Sequence, residues 1–226
     1  MNFLLSIIVP VYNEEKTIAA IISQINNLPL EKEIIVVNDC SKDRTAAILS
    51  SISFNNLKII HHISKRGKGA AVRTGLENAT GEFVIIQDAD LEYDPNDYFK
   101  LLEAIKNPGV DIVLGARFTE GYHGLMLPKA GNRLLTGLMN RLFGVKFNDC
   151  FTCYKLMRRE SILGLSLQSN SFDIDIEILA KAIKKRMRIL EAPVTYNPRS
   201  YSEGKKIRIG DGIWAALRIL HLGLIK

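Results

Sequence analysis

The chain has 226 residues, enough for one large domain or two small ones, and 47% of them are hydrophobic, enough to fill a core. No apolar run reaches the roughly 18 residues that a membrane-spanning helix requires, and the apolar start of the chain lacks the basic leader of a signal peptide. The net charge of +6 favours polyanionic partners: phosphorylated substrates, an acidic membrane surface or nucleic acid. The three cysteines lack a second ligand pair at zinc spacing, so we expect free thiols.

The first half of the chain alternates between predicted strands and predicted helices. Short apolar runs predict buried strands over residues 4–11, 33–37, 57–62, 82–87 and 110–115. Helices are predicted between them, with Asn13 as the N-cap of the first and the others starting near residues 43, 65 and 96. Because the strands are apolar throughout and alternate with helices, we predict an α/β fold whose mostly parallel sheet is covered on both faces.

The pattern changes after residue 117. We predict a Gly-rich mobile loop at 119–124, a helix at 128–143, an edge strand within 149–158, a helix at 172–185, a strand at 189–196 and a flexible basic loop at 199–208. A last helix at 209–225 carries Trp214, Leu217, Leu220 and Leu224 on one face, which either packs on the core or lies on a membrane surface. We expect a single domain over residues 1–226.

Carboxylates follow two of the predicted strands. Asp88, Asp90 and Glu92 come after the fourth strand, where an extended backbone would point alternate side chains the same way. Asp39 follows the second strand, and the carboxyl ends of parallel strands meet at one edge of a sheet. Such carboxylates hold Mg²⁺ or Mn²⁺ together with substrate phosphates, although a solvated acidic turn is the alternative. Asp39 alone fits either a helix cap or a hydrogen bond to a ribose or base.

The chain lacks the glycine-rich loops of two common nucleotide-binding folds. No G-x-G-x-x-G follows the first strand, and the P-loop pattern fails because His62 stands where its first glycine would fall. A nucleotide would therefore have to be held in another way.

Five segments carry a resemblance to a known family. They are IVPVYNEE at residues 8–15, VNDCS at 37–41, GKG at 67–69, DADLE at 88–92 and GAR at 115–117. Together they resemble the family-two glycosyltransferases of the GT-A fold, and within them the dolichol-phosphate mannosyltransferases and related polyprenyl-phosphate glycosyltransferases. The resemblance implies a GT-A domain in which residues 1–117 bind the nucleotide and residues 118–226, with the C-terminal helix, bind the acceptor.

The resemblance also implies an activity. It is the metal-dependent, inverting transfer of a hexose from a nucleotide-diphosphate sugar, GDP-mannose before UDP-glucose, to a polyprenyl or dolichyl phosphate, with Mg²⁺ or Mn²⁺ as cofactor. A cytosolic donor and an acceptor in a bilayer imply a cytoplasmic enzyme, peripheral on the inner face of the membrane. The oligomeric state stays open.

Individual residues match the family by position. Five of them match its nucleotide-binding residues: Pro10, Tyr12, Glu14, Asp39 and Lys68.

Three acids match the centre of the family's site. Asp88 matches the acid that faces the nucleotide and sugar, and Asp90 matches the metal-binding acid. Glu92 stands where the mannosyltransferases usually carry glutamine as the second metal ligand. The additional negative charge is expected to hold the cation more tightly.

Four basic residues match phosphate-binding positions. Arg117 and Arg133 match arginines that hold the acceptor phosphate, and with Asp88 and Asp90 they are the implied catalytic residues. Lys205 and Lys206 match a late basic loop that folds over the donor phosphates. The segment DCFTCYK at 149–155 departs from the family's D-x-x-S-G-F-R, which leaves the sugar and the acceptor open.

Several alternatives remain at this stage. A phosphate acceptor is already anionic near neutral pH and needs no base, whereas a saccharide or protein hydroxyl would need one, for which Asp149 is the candidate. A non-catalytic nucleotide-sugar binding protein also stays open. A nucleotidyltransferase would show a Gly-rich basic loop after the first strand, and a nucleic-acid binder would show aromatic stacking platforms; neither is evident.

Contact with a membrane has two possible sources. Lys205, Lys206, Arg208 and Arg218 lie in or beside the amphipathic C-terminal helix and suit anionic lipid headgroups. A partner membrane protein would serve the same purpose.

Overall fold

The computed structural model describes residues 4–118, 126–199 and 209–224, and for residues 126–128 and 209–211 the backbone alone. The Gly-rich loop predicted at 119–124, and Lys205, Lys206 and Arg208 of the predicted basic loop, lie outside the described residues.

The described residues form a seven-stranded sheet with the strand order β3-β2-β1-β4-β6-β5-β7. The strands are β1 (Leu5–Val11), β2 (Lys32–Asn38), β3 (Leu57–His61), β4 (Phe83–Ile86), β5 (Val110–Ala116), β6 (Lys155–Arg158) and β7 (Arg188–Pro193). Every pair is parallel except the two that β6 makes with β4 and β5. The predicted α/β fold with a mostly parallel sheet is therefore confirmed.

Helices connect the strands and cover the sheet. They are α1 (Ile18–Asn26), α2 (Thr45–Ser50), α3 (Lys68–Asn78), α4 (Tyr98–Ile105), α5 (Met126–Phe143), α6 (Arg159–Leu163), α7 (Ile174–Lys184) and α8 (Ile209–Leu224). β1 and β4 are fully buried, and α1 packs its isoleucine stripe, Ile18, Ile21, Ile22 and Ile25, into the same core. Each such side chain contributes roughly 1.5–3 kcal/mol by leaving water.

β6 is an interior strand, so the prediction of an edge strand within 149–158 was wrong. Met157 lies level with Val84 on one side and Ile112 on the other, and its side chain is inaccessible to solvent. The apolar residues of β6 therefore lie between two neighbouring strands, whereas an edge strand has a neighbouring strand on one side only. Because β6 runs against the other strands, the chain that enters it arrives at the edge where those strands end.

Asn13 does not cap α1, contrary to the sequence prediction. The helix begins at Ile18 after Thr17, and Asn13 adopts a left-handed conformation with φ of 52°. Its side-chain oxygen accepts a hydrogen bond from the backbone N–H of Lys42 (2.8 Å), and its own N–H donates to Ser41 Oγ (3.0 Å). Asn13 thus joins the loop after β1 to the loop after β2 instead of starting a helix.

The GKG motif has a packing explanation. A β-carbon on Gly67 would lie 2.2 Å from the carbonyl oxygen of Asn170, and one on Gly69 would lie 2.3 Å from that of Ser169. The backbone at 169–170 therefore crosses the start of α3 so closely that a side chain at position 67 or 69 would collide with it. Gly69 N–H donates to the Asn170 carbonyl (2.9 Å), so the crossing also caps the helix.

α8 packs on the domain through a different face from the one noted in the sequence. Ile219 and Leu222 are buried, and the helix contacts α5 and α7. Trp214 and Leu217 remain 62% and 54% exposed, respectively. The helix thus contacts the core and still presents an apolar surface outward. None of the described helices is both long and apolar enough to cross a bilayer.

Candidate active site

The loops at the carboxyl edge of the sheet contain unusual backbone conformations. Asn13, Cys40 and Leu91 follow β1, β2 and β4, and all three adopt φ values between 52° and 62°. Residues with a side chain avoid this region at a cost of roughly 1–2 kcal/mol each, and such conformations concentrate at functional sites. Three of the five non-glycine residues with positive φ in the described chain therefore lie at this edge, the other two being Ser166 and Arg186, and the edge is a candidate functional site.

Three of the predicted acids converge there on one arginine. The guanidinium of Arg199 lies 3.1 Å from Glu14 Oε2, 3.2 Å from Asp90 Oδ2 and 3.8 Å from Glu92 Oε1. Of the three acids predicted to converge, Asp90 and Glu92 meet at Arg199, whereas Asp88 pairs with Lys68, and an extended backbone is not the cause. Leu91 turns the chain between Asp90 and Glu92. Arg199 itself was missed, because in the sequence it opens an apparently flexible basic loop.

Asp90 shares the guanidinium of Arg199 with two other acids, Glu14 and Glu92. Burial and then the charges of Asp88 and Glu92 raise the pKa of Asp90 to about 7, although Arg199 acts in the opposite direction. A carboxyl group in this position is a natural binding group for a cation.

Glu92 also has a role in holding the chain. Its Oε2 accepts a hydrogen bond from the hydroxyl of Tyr196 (2.6 Å), and its Oε1 accepts one from the backbone N–H of Arg199 (2.9 Å). Its backbone carbonyl accepts a third from Asn197 N–H (2.8 Å). Glu92 thus fixes the segment after β7 against the acid cluster.

Asp88 is paired with a lysine. Lys68 Nζ lies 2.8 Å from Asp88 Oδ1. Burial alone would raise the pKa of Asp88, but the nearby ammonium and its hydrogen bond hold that pKa below the ordinary value. Lys68, predicted to bind the nucleotide, is therefore placed at the site with its charge engaged by Asp88.

Arg117 and Asp149 form a buried bidentate ion pair. Arg117 Nε lies 2.7 Å from Asp149 Oδ2, and Nη2 lies 2.8 Å from Oδ1. The Asp149 side chain is inaccessible to solvent, and Asn132 of α5 donates to it as well (3.3 Å). Burial would raise the pKa of Asp149, but the Arg117 charge and hydrogen bonds outweigh burial and lower it. Arg133, next to Asn132, is exposed on α5.

The predicted nucleoside side is assembled from the loops after β1 and β2. Pro10 is buried in β1, level with Val37 of β2. Tyr12 follows it, with Lys65 Nζ 3.9 Å from the centroid of its ring.

Asp39 organises the loop that leads into α3. Its Oδ1 accepts a hydrogen bond from Arg66 N–H (2.8 Å) and lies 2.7 Å from His62 Nδ1, and its Oδ2 accepts from Gly67 N–H (2.7 Å). Burial would raise the pKa of Asp39, but these hydrogen bonds lower it. Asp39 is not the side-chain cap of α2 or α3, so the helix-capping alternative is wrong: its contacts are with the loop before α3. A nucleoside contact stays a prediction.

Comparison with known proteins assigns the chain to a family. The model of glycosyl transferase family 2 matches residues 6–164. The chain belongs to this family. Over 210 residues it is 31% identical to the dolichol-phosphate mannosyltransferase of Pyrococcus furiosus, covering 88% of this chain and 58% of that protein. This chain therefore spans little more than half the length of that relative.

A second relative and a solved structure are also similar to the chain. A UDP-N-acetylglucosamine–dolichyl-phosphate N-acetylglucosaminyltransferase of Methanococcus voltae is 28% identical over 246 residues, covering 98% of both proteins. The solved glucosyl-3-phosphoglycerate synthase of Mycobacterium tuberculosis, in complex with Mn²⁺, UDP and phosphoglyceric acid, superimposes with a TM-score of 0.75 at 20% identity, covering 99% of this chain and 80% of that one. This likeness confirms the GT-A-like fold.

The acid cluster fits a divalent cation as part of a larger ligand set. No group of three histidine, cysteine or acidic side chains within the described residues is arranged to hold a metal by itself. Mg²⁺ usually takes one or two carboxylates and completes its shell with water and substrate phosphates. Asp90, with its raised pKa, supplies such a carboxylate, and Glu92 lies beside it.

The raised pKa of Asp90 predicts a gain in stability when its charge is removed. The native state binds this proton more tightly than the unfolded state, so Asp90 lowers the free energy of unfolding as the pH rises from about 4 to about 7. We expect Asp90→Asn to be more stable than wild type by about 1–3 kcal/mol near pH ~8 and equal to it near pH ~4. Urea unfolding measures both.

Mn²⁺ supplies the matched control. It should raise the stability of the wild type at the higher pH and leave Asp90→Asn unchanged. If Asp90→Asn were instead less stable than wild type at the higher pH, the Arg199–Asp90 attraction would outweigh the repulsion, and the cluster would not be short of positive charge.

Proposed function

We propose that the protein transfers a hexose from a nucleotide-diphosphate sugar to a polyprenyl phosphate, with inversion at the anomeric carbon. Residues 1–117 supply the donor side and residues 118–226 the acceptor side. The observation that supports a phosphate acceptor most strongly is the buried Arg117–Asp149 pair.

This pair argues against a hydroxyl acceptor. A hydroxyl must lose a proton as it attacks, and Asp149 was the candidate base. Its lowered pKa and its two contacts with Arg117 make it a poor proton acceptor. A phosphate monoester has a second pKa near 6 and is already an anion, so it needs no base.

The same pair prepares Arg117 to bind phosphate. Asp149 engages Nε and one N–H of Nη2, so within the part of the chain that the structure describes three of the five guanidinium N–H donors remain for a ligand. A guanidinium held in place loses little conformational freedom when phosphate binds, and arginine pairs with phosphate in bidentate geometry. Arg117 would thus fix the attacking oxygen in line with the sugar, with Arg133 as a second contact.

The acids would serve the donor. Asp90 and Glu92 would hold Mg²⁺ or Mn²⁺, which supplies Lewis-acid stabilisation of the leaving diphosphate when bound. Asp88, kept ionised by Lys68, would face the nucleotide and sugar. Lys205 and Lys206 remain predicted ligands of the donor phosphates. The names of the relatives include mannosyl and N-acetylglucosaminyl transferases, so GDP-mannose is the first donor to test and UDP-sugars are the alternative.

Donor turnover tests this function. Purified protein is given GDP-mannose, UDP-glucose or UDP-N-acetylglucosamine with Mn²⁺ or Mg²⁺ and a short polyprenyl phosphate, and the lipid product is followed by mass. We expect product from one donor, lost on chelation, and a loss of at least about 100-fold in Asp90→Ala. Metal-dependent nucleotide binding without product from any donor would reject the proposal and favour a nucleotide-sugar binding protein.

We also propose that α8 docks the enzyme on the cytoplasmic face of the membrane that holds the acceptor lipid. Ile213, Trp214, Leu217, Leu220 and Leu224 recur at helical spacing and are exposed, which suits the interfacial region of a bilayer. Arg218, whose contact with lipid headgroups stays a prediction, is engaged by two side chains of the domain. Its Nε lies 3.1 Å from Asp173 Oδ2, and Nη2 lies 3.2 Å from Ser169 Oγ, so its charge is used within the protein.

Point substitutions test this docking better than deletion, because Ile219 and Leu222 of the same helix are part of the core. Trp214→Glu/Leu217→Glu should cut co-sedimentation with anionic polyprenyl-phosphate liposomes by at least about tenfold. Leu163→Glu, at a 43% exposed leucine elsewhere on the surface, is the matched control and should bind as wild type. Equal binding by the double variant and the control would contradict docking through α8.

A further inference from the structure

Four charges of alternating sign run from the partly exposed Asp88 at the candidate active site to the fully buried Lys155. Lys68 Nζ lies 2.8 Å from Asp88 Oδ1 and 3.6 Å from Asp175 Oδ2. Lys155 Nζ lies 2.7 Å from the other oxygen of Asp175 and also donates to the backbone carbonyl of Thr152. We refer to Asp88, Lys68, Asp175 and Lys155 as the charge tetrad. Asp175, at the start of α7, is the member that bridges the two lysines.

The tetrad is electrically balanced as a unit. Two carboxylates face two ammonium groups, and the Lys155 side chain is inaccessible to solvent. An unpaired charge at such depth costs several kcal/mol, so loss of one member forces the others to rearrange. Without Asp175, Asp88 would be the remaining tetrad carboxylate for both Lys68 and Lys155.

Stability alone explains the tetrad poorly. Replacement of a buried ion pair by apolar residues is often neutral or stabilising, so such pairs are a weak source of stability. One end of the tetrad, in contrast, is an acid at the carboxyl edge of β4, where the donor is expected. Lys68 of α3 contacts Asp88 directly, and Asp175 of α7 and Lys155 of β6 lie behind it, so three separate elements support the position of Asp88.

We infer that Asp175 is a positioning residue for donor binding. It holds Lys68 against Asp88 and pairs with Lys155, so that the Asp88 carboxylate presents a single orientation to the nucleotide sugar. This inference rests on the proposed function. It assigns a role to a residue that does not contact the expected substrate. Asp175 lies 87 positions after Asp88 in the chain (175 minus 88).

Charge-balanced substitution tests this role. Asp175→Asn leaves two lysines with one carboxylate, and we expect donor affinity, measured by calorimetry with GDP-mannose or UDP-glucose and Mn²⁺, to fall by at least about tenfold. Asp175→Asn/Lys155→Met removes one charge of each sign and should recover most of that loss. Asp175→Glu should recover part of it, because it keeps the charge at a longer reach.

Controls separate positioning from folding. Glu177→Gln removes another buried carboxylate from α7 that contacts Lys181 and the N–H groups of Gln168 and Ser169, and it should lower stability while retaining wild-type donor affinity. All variants are compared at a temperature where circular dichroism shows them folded. Wild-type affinity in folded Asp175→Asn, or a double variant no better than the single one, would overturn the inference.

The binding measurement also keeps the two proposals apart. If the wild type binds a nucleotide sugar but makes no lipid product, the proposed acceptor fails while the role of Asp175 is still tested. If product forms but donor affinity is the same with and without the Asp175 carboxylate, the inference about Asp175 fails while the proposed function stands.

Discussion

Charges buried at the edge of an apolar sheet must neutralise one another, and this requirement organises the candidate site. Three arrangements bring opposite charges together: Arg199 among three acids, Arg117 on Asp149, and the charge tetrad that ends at Asp88. In the last two the charges match in number, whereas in the first, among the described residues, three acids share one guanidinium, and burial and then the charges of Asp88 and Glu92 raise the pKa of Asp90. Under the proposed function, the cation of a metal-bound diphosphate would add positive charge at this cluster.

The reversed strand β6 makes this arrangement possible. The strands parallel to β1 place their carboxyl ends at one edge, and among the described strands only β6 begins there. The chain just before it therefore delivers Asp149, and its first residue is Lys155. Asp149 orients Arg117, the arginine expected to bind the acceptor. Lys155 balances the negative charge of Asp175 in the charge tetrad that ends at Asp88. One antiparallel strand thus links the two halves of the proposed reaction.

The sequence predicted the features that depend on local pattern. Apolar runs located the strands of the first half, and the acids after β4 were correctly expected to converge. The mechanism of convergence was different, since the left-handed conformation of Leu91 turns the chain. Asn13 likewise fits an N-cap by type, yet its partner is Lys42 in another loop.

Features that depend on distant pairings were not predictable. Arg199 and Asp90 are 109 positions apart, and nothing near Arg199 distinguishes it from a solvated loop residue. Asp175 lies on an ordinary acidic first turn of a helix, and its function depends on two lysines from other elements. The interior place of β6 required knowledge of both neighbours. Charge matching in the folded protein, not residue type, selects these side chains.

Acceptor discrimination tests the central claim most directly. A polyprenyl phosphate and the polyprenol of the same length differ only in the group that attacks, so the wild-type enzyme is assayed with both under one donor and metal. Because Asp149 is paired with Arg117 and its lowered pKa makes it a poor proton acceptor, the account predicts product from the phosphate and none from the alcohol. Transfer to the alcohol at a comparable rate would show that the site supplies a base, and would contradict the account.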